Sequence, residues 1–279
     1  MRLNFKYLLL FFIISVINIK PQDDLQRQVE FADNLFHQKL FYDAITEYKR
    51  LLFFDVNRTY SFYANNKIAQ SYKGGGKFDD AVKYFKKAEL STLDQNEKFE
   101  CKLEIIKVNI LRGTTQQSID LIDELLSEEK DKEKVKQLDY WKAWTYMFAN
   151  KWEIAYQILN IYPEFSELSK YCKEVIDEKY FVNFAKLLSY ILPGAGQFYT
   201  GEYLSGAMSL SWNILFGYLT INSFVEERVF DGFAIGTLLW MRFYRGNYQN
   251  AERFAENKNI EIANNKLKYI QQNYQGLKP

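Results

Sequence analysis

The sequence predicts an all-α protein, and three observations support this fold class. Apolar residues recur at helical spacing through residues 25 to 163, and proline occurs at only four of the 279 positions, so few sites interrupt a helix. A short pattern returns every 37 residues in the first half of the chain. A charge-poor stretch follows at residues 181 to 240. Together they predict a solenoid of helical hairpins followed by a two-helix transmembrane hairpin.

The composition excludes several classes of function. With 36 basic and 35 acidic residues the net charge is +1, which gives no support for a nucleic-acid binder that relies on excess positive charge. A hydrophobic fraction of 48% excludes wholesale disorder. Two cysteines and one histidine leave little material for a metal cluster or histidine-based catalysis. We therefore expect no enzymatic activity, no cofactor and no nucleic-acid partner.

The N-terminus is typical of an export signal. Arg2 and Lys6 precede an apolar run from Tyr7 to Ile17, which is short for a spanning helix. No clear Ala-x-Ala cleavage site follows the run, so residues 1–21 are predicted to be a signal peptide or an uncleaved signal anchor. A buried first helix is the remaining alternative. Export predicts a non-cytosolic location for the rest of the chain.

Two small-residue positions repeat with the 37-residue period. A large side chain would push two antiparallel helices apart, so small residues at both positions indicate close packing within a helix pair. The position in the first helix of each pair holds Ala32, Ala69, Ile106 and Ala143. The position in the second helix, twelve residues later, holds Ala44, Ala81, Ser118 and Ala155. Ile106 and Ser118 depart from the pattern, which makes the third pair the least regular.

This pattern resembles the tetratricopeptide repeat family, whose helix-turn-helix unit is about 34 residues long. The matching features are the two small positions, an aromatic or aliphatic residue four positions after the second, and Gly76 or Asn150 in the turn. The resemblance implies four repeats over residues 22–163 and a capping helix over residues 164–180. An irregular helical bundle is the alternative.

The family lines a concave face with the first helix of each repeat. The resemblance therefore implies a groove for an extended peptide or a partner helix, bound through aromatic rings and side-chain amides. A solvated groove or an intramolecular contact is equally open. The residues of this predicted groove are Gln26, Val29, Asp33, Tyr63, Asn66, Gln70, Lys107, Tyr140 and Trp144.

The composition changes after the repeats. Residues 181–240 contain only six charges. The segment from Tyr203 to Val225 has 23 residues without a charge, enough to cross a bilayer core of about 30 Å. The segment from Val229 to Tyr244 is shorter and carries charges near its ends, where they can reach the interface. The short link between the segments predicts an antiparallel hairpin, with a soluble, buried two-helix hairpin as the alternative.

A glycine-rich run lies between residues 192 and 206, ahead of the longer apolar segment. It resembles the Pro-Gly-x-Gly-Gln-x-Tyr-x-Gly signature of a two-transmembrane-helix domain family whose biochemical role is largely undefined. The resemblance covers about residues 184 to 250, including the trailing segment from Tyr244 to Tyr248. It predicts a two-transmembrane-helix domain over residues 181–250 and leaves residues 251–279 as a polar helical tail. It implies contact with a lipid bilayer and little chemistry. The residues of this glycine motif are Pro193, Gly194, Gly196, Gln197, Tyr199 and Gly201.

Two spans would place the repeats and the tail on the same side of a membrane. The export signal puts both in the periplasm, at a bacterial inner membrane, whereas Arg242, Arg245 and Arg253 on the tail side mildly favour the opposite orientation. If the short segment before Pro193 also spans, the two regions lie on opposite sides. Gly232 and Gly236 form a GxxxG pattern that allows either a homo-oligomer through the hairpin or packing within it.

The predicted function is a membrane-anchored helical-repeat scaffold that binds a protein partner at the bacterial envelope. The alternative is an accessory factor in membrane-protein biogenesis or transport that acts through the transmembrane hairpin.

Overall fold

The computed structural model describes residues 21 to 279, and the predicted export signal lies outside the described residues except for Pro21. All regular secondary structure in the described part is helical, which confirms the predicted fold class at that level. The described residues divide into two compact units, one ending at Ala149 and the other comprising Asn150–Lys278. The units are described in turn.

The described residues of the first unit form seven helices, and each helix packs against the next one along the chain. This is the arrangement expected of consecutive helical hairpins. The helices are α1 (Pro21–His37), α2 (Phe41–Phe54), α3 (Ser61–Gly74), α4 (Phe78–Leu90), α5 (Gln95–Arg112), α6 (Thr115–Glu128) and α7 (Lys132–Phe148).

The predicted small positions of this unit are fully buried. Ala32 and Ala44 share one core cluster with Tyr48, and Ala69 and Ala81 belong to the next cluster. The third pair buries Ile106 and Ser118 at the same register. The side chains at these positions therefore lie between packed helices, as the 37-residue pattern predicts.

The turn inside each pair contains a residue in the left-handed backbone region, and this residue also follows the 37-residue period. The four residues are Lys39 (φ 60°), Gly76 (φ 71°), Gly113 (φ 78°) and Asn150 (φ 57°). In the first three turns, the N–H of the following residue donates to the carbonyl oxygen five residues back, at 2.8 to 3.0 Å. A left-handed residue with this bond is a standard helix C-terminus, so one turn geometry ends the first helices of the first three pairs.

Two aspartates that are also 37 residues apart begin the later first helices. The Asp94 carboxylate accepts the backbone N–H groups of Asn96 and Glu97 at 2.7 and 3.0 Å. The Asp131 carboxylate accepts that of Glu133 at 2.9 Å. These caps satisfy N–H groups that a helix leaves without a partner at its start.

The second unit contains the remaining helices. The boundary between the units falls within the predicted fourth repeat. Its helices are α8 (Trp152–Leu159), α9 (Ser166–Glu178), α10 (Val182–Ile191), α11 (Ala195–Tyr199), α12 (Tyr203–Val225), α13 (Val229–Ala234) and α14 (Met241–Asn273), with a 3-10 turn at Pro163–Phe165 and a π-helix at Ile235–Trp240. Helix α9 lies in the segment predicted to be the capping helix, and it packs against α8. Both helices belong to the compact unit that begins at Asn150.

The predicted antiparallel hairpin is present, but its second arm is not one regular helix. That arm begins as α13, continues as the π-helix and becomes α14. Its glycines permit close approach: a Cβ on Gly232 would lie 2.9 Å from the Phe224 ring, and one on Gly236 would lie 3.0 Å from Thr220. Both glycines of the GxxxG pattern are thus used for packing within the hairpin.

The two predicted membrane spans are not found as such. Among the residues that the structure describes, no helix combines the length and the apolar character needed to cross a membrane. Helix α12 has 23 residues, but its sequence includes Asn213, Thr220 and Asn222. The second predicted span is divided among three helical segments.

The predicted polar tail is a continuation of the hairpin. Helix α14 runs for 33 residues through the proposed boundary at residue 250, and it packs against α9 and α10. Ala251 and Ala255, one turn apart, are fully buried. The Asn259 side chain accepts the backbone N–H of Tyr180 at 2.8 Å and donates to its carbonyl oxygen at 2.9 Å. The tail is therefore part of the second unit's core.

Candidate functional site

The predicted groove contains a carboxylate held by two phenols. Asp33 on α1 accepts hydrogen bonds from the Tyr48 hydroxyl at 2.5 Å and from the Tyr63 hydroxyl at 2.7 Å. Burial, together with the neighbouring Asp33 carboxylate, raises the pKa of both tyrosines well above the ordinary value. Both hydroxyls therefore remain protonated donors at physiological pH. The cluster joins α1, α2 and α3.

An ion-pair cluster joins the next two first helices. Glu104 on α5 pairs with Lys73 on α3 at 3.1 Å and with Lys107 on its own helix at 2.6 Å. Burial alone would raise the pKa of Glu104, but the two ammonium groups outweigh it and hold the pKa below the ordinary value. The Lys107 ammonium also lies 4.8 Å from the ring centroid of Trp141 on α7. Glu104 therefore links α5 to α3, and Lys107 links α5 to α7.

Four other predicted groove residues lie along the same helices. The Gln70 side chain donates to that of Asn66 at 3.2 Å, and both are half-buried on α3. Gln26 is exposed on α1 and donates to Glu30 at 3.3 Å. Val29 packs against the first core cluster.

Two aromatic residues of the predicted groove, both on α7, are buried. Tyr140 is 5% exposed and Trp144 is 0% exposed, so neither presents its ring to a partner. Their rings contact each other at a centroid distance of 6.5 Å. The family pattern identifies the helix that faces the groove, but it does not say which side chains the surrounding structure covers.

Sequence reasoning missed other residues that belong to this face. Lys67 and Glu104 are 37 residues apart, which is a signal that extension of the period would have revealed, whereas the next position of this series, Trp141, is 1% exposed. The Lys67 ammonium lies 4.7 Å from the Phe36 ring centroid and 5.6 Å from that of Tyr63. The face is thus more charged than the nine predicted residues suggest, and its cations lie over aromatic rings.

The glycine motif forms a tight turn that only glycine can occupy at two positions. Gly194 has φ 92°, and a Cβ there would lie 2.3 Å from the carbonyl oxygen of Gly206. A Cβ on Gly196 would lie 2.1 Å from the carbonyl oxygen of Ala185 and 2.6 Å from the Ala251 Cβ. The first glycine supplies a backbone conformation and the second a close approach of α11 to α10 and α14.

A buried hydrogen-bond network closes this turn. Gln197 is 0% exposed, and its amide group donates to the backbone oxygen of Asn247 at 2.9 Å. The Asn247 side-chain oxygen accepts the N–H of Gly194 at 2.8 Å and the hydroxyl of Ser209 at 2.9 Å. Its amide group donates to the carbonyl oxygen of Ser189 at 2.7 Å. Asn247 therefore ties together α10, the motif turn, α12 and α14.

The remaining motif residues shape the same turn. Pro193 directly follows α10, and Gly201 (φ 78°) lies between α11 and α12. The Tyr199 hydroxyl accepts the backbone N–H of Phe181 at 3.2 Å. The motif residues lie in one turn, and Gln197 is enclosed by the fold. The motif thus holds four helical segments in place.

The described residues contain no group of three or more His, Cys, Asp or Glu side chains that could hold a metal ion. Cys101 and Cys172 are free and buried. Burial raises the pKa of each thiol to about 12. Neither thiol has the low pKa of a nucleophilic cysteine.

Known proteins add no assignment to these features. The chain matches no protein-family model, and a comparison with curated proteins gives no significant match.

Proposed function

We propose that the chain is a membrane-attached helical-repeat scaffold that binds a protein segment on the face of α1, α3 and α5. The observation that carries this proposal is the set of side-chain bridges between successive first helices, Asp33–Tyr63 and Lys73–Glu104. These bridges hold neighbouring helices in a fixed arrangement. A preorganised face loses less conformational entropy when it binds a partner than a mobile one does.

The chemistry of this face favours a polar segment with cationic and acidic side chains. Asn66 and Gln70 offer half-buried amide groups to a backbone or a side chain. Lys67 and Glu104 stand one period apart and have opposite charge. Complementary charges on a partner would fix its register along the face.

The proposed membrane attachment is supported by the surface of the second unit. The hairpin of α12, α13 and the π-helix exposes a large set of apolar side chains, and its charged residues are concentrated at the tip, where Arg228 pairs with Glu226 at 2.8 Å. Monomeric proteins in water rarely expose so extended an apolar patch. Representative exposed residues are Ile214, Tyr218, Ile221, Phe230, Phe233 and Leu238. The proposal requires these side chains to lie in lipid and does not require a helix to cross it.

In-cell crosslinking tests the partner proposal on the full-length chain. A photoreactive phenylalanine derivative at position 66 or 70 should give a discrete adduct with another protein, found in the membrane fraction. The matched control places the photoreactive derivative at position 86. Lys86 is exposed on α4, which is the second helix of its pair and does not belong to the proposed face. If positions 66 and 70 give no adduct, or give the same adduct as position 86, the partner proposal is wrong.

The accessory role in membrane-protein biogenesis or transport is the second candidate, because the hairpin exposes so much apolar surface. It predicts adducts from a photoreactive residue at Leu215 on the hairpin and none from Asn66.

The location is a separate proposal: we infer a bacterial inner membrane with the repeats in the periplasm. Alkaline phosphatase fused after residue 279 should then be active, and an inactive fusion would contradict the periplasmic side.

A further inference from the structure

A groove with an apolar wall lies beside the start of α14. It has a volume of about 570 Å³ and is lined by residues of α12 and α14. Leu204, Met208 and Trp212 are four residues apart on α12 and therefore form one stripe along the groove. Leu204 is 77% exposed and Met208 is 52% exposed. The Trp212 ring stacks on Phe243 of α14 at a centroid distance of 5.5 Å, which gives the groove a flat aromatic end.

Two arginines, one in this groove and one beside it, have no acidic partner among the residues that the structure describes. Arg242 lines it and, together with Arg245, also lines an adjoining cavity of about 550 Å³. Within residues 24–279, neither guanidinium forms an ion pair or a side-chain hydrogen bond. Several other cations of this unit do have an acidic partner, as Lys186 has in Glu252 at 2.8 Å. The one acidic residue lining the groove, Glu202, faces Lys258 at 3.7 Å.

We propose that this groove binds an anionic phospholipid, a proposal that rests on the membrane attachment inferred above. The phosphate lies between Arg242 and Arg245, because guanidinium groups match phosphate oxygens in both charge and geometry. One acyl chain covers Leu204, Met208 and Trp212, a stripe about 12 Å long at 1.5 Å per helical residue. Charge complementarity selects an anionic headgroup over a zwitterionic one.

Vesicle flotation of the full-length chain tests this site. The chain is mixed with phosphatidylcholine vesicles or with phosphatidylcholine vesicles that contain phosphatidylglycerol. A basic residue near an anionic surface contributes about fivefold to partitioning, so the Arg242→Gln/Arg245→Gln variant should lose roughly 30-fold in binding to the anionic vesicles. Binding to pure phosphatidylcholine should not change. Both arginines are exposed, and the thermal unfolding midpoint of the variant should match that of the parent chain.

Arg253→Gln is the matched control, because it removes the same charge from an exposed site on the same helix outside the groove. It should lower binding to anionic vesicles no more than about twofold, since its charge lies farther from the bound phosphate. The groove proposal is overturned if Arg253→Gln loses as much binding to anionic vesicles per removed charge as the double variant does. It is also overturned if the double variant still binds anionic vesicles in preference to phosphatidylcholine vesicles.

A second measurement locates the acyl chain and identifies the source of the phosphate. Phosphatidylglycerol with a photoreactive acyl chain should crosslink to residues 204–212, and inorganic phosphate at constant ionic strength should not displace it. Displacement by inorganic phosphate, or crosslinks confined to residues 229–240, would overturn a lipid site. A chain that binds neither kind of vesicle overturns the membrane attachment. Crosslinking to phosphatidylglycerol in detergent micelles then tests the lipid site in the groove independently of membrane attachment.

Discussion

The Ser118 hydroxyl donates a hydrogen bond of 3.1 Å to the backbone carbonyl oxygen of Ile106, across the helix pair α5–α6. Ser118 occupies the position where other helix pairs have Ala44 or Ala81, and like them it is fully buried. A buried hydroxyl without a partner would be costly, and this bond removes that cost. The third pair therefore tolerates a serine at this small-residue position.

We expect Ser118→Ala to destabilise the chain by about 1 kcal/mol, because a buried hydrogen bond is lost while little volume changes. Urea unfolding followed by circular dichroism measures this difference. Ser127→Ala is the control on the same helix: its hydroxyl is exposed and bonds only to the Glu124 carbonyl oxygen at 2.7 Å. Its effect should stay below about 0.5 kcal/mol. Equal losses in the two variants would show that the Ser118 bond adds no stability.

Adjacent glycines in the second turn should respond to alanine with opposite signs. Gly76 has φ 71° and nothing within 4 Å of an added Cβ, so Gly76→Ala should lose about 1 kcal/mol from backbone strain alone. Gly75 has φ −84°, and an added Cβ would meet its nearest atom at 3.4 Å. Gly75→Ala should therefore be neutral or should stabilise by about 0.5 kcal/mol. Equal losses in urea unfolding would contradict the left-handed turn.

Lys39 occupies the corresponding left-handed position of the first turn, with φ 60°. Because a side chain is strained there, Lys39→Gly should raise stability by about 0.5 to 1 kcal/mol. The exposed Lys86→Gly in the interior of α4 is the control and should lose about 1 kcal/mol. A loss in both variants would mean that the turn residue carries no strain.

The Glu104 cluster predicts a defined pH dependence. A carboxyl whose pKa is lower in the folded than in the unfolded chain stabilises the fold above its ordinary pKa, and this contribution is lost as pH falls through the lowered value. Between neutral pH and about pH 3, Glu104→Gln should therefore lose less stability than the parent chain. Lys107→Met keeps the carboxyl but removes one ammonium partner, so its loss should be intermediate. Urea midpoints across this pH range give the comparison, and parallel curves would contradict the assignment.

Much of the first unit could be predicted from local pattern. The small buried positions and the turn glycines follow a fixed period, since each helix pair meets its neighbours in a similar environment. The burial of Tyr140 and Trp144 was not predicted, because the family pattern identifies the helix of the groove and not which of its side chains are covered. The lengths of the apolar segments alone predicted two spanning helices. The second arm of the hairpin is instead divided into helical segments and contains a π-helix.

The role of Asn247 could not be read from sequence for a different reason. Its hydrogen bonds reach Ser189 and Gly194, which lie 58 and 53 residues away, and neither periodicity nor local spacing contains that information. The glycine motif identified one side of this contact. The resemblance also included the segment around Asn247, but it assigned no partner within it.

Replacement of Asn247 should therefore unfold or loosen the second unit more than any surface change on the same helix. Asn247→Ala leaves the Gly194 N–H and the Ser189 carbonyl oxygen without their side-chain partner in a buried site, at about 1 to 3 kcal/mol for each unsatisfied group. Asn250→Ala, three residues along α14, removes only an amide that accepts from Arg253 at 3.0 Å, and should cost less than about 0.5 kcal/mol.

A second pair of variants separates the network from the packing around it. Gly196→Ala places a Cβ against the backbone of Ala185 and the Cβ of Ala251, so α10, α11 and α14 must move apart, at a cost of at least about 3 kcal/mol. Gly246→Ala on α14 meets nothing within 4 Å and should stabilise the helix by about 0.5 to 1 kcal/mol. Hydrogen exchange of the α10 and α14 amides reports both effects. Gly196→Ala should expose these amides to exchange while those of α1 to α6 stay protected, because the substitution acts within the second unit. Unchanged exchange in α10 and α14 would mean that the turn does not hold these helices together.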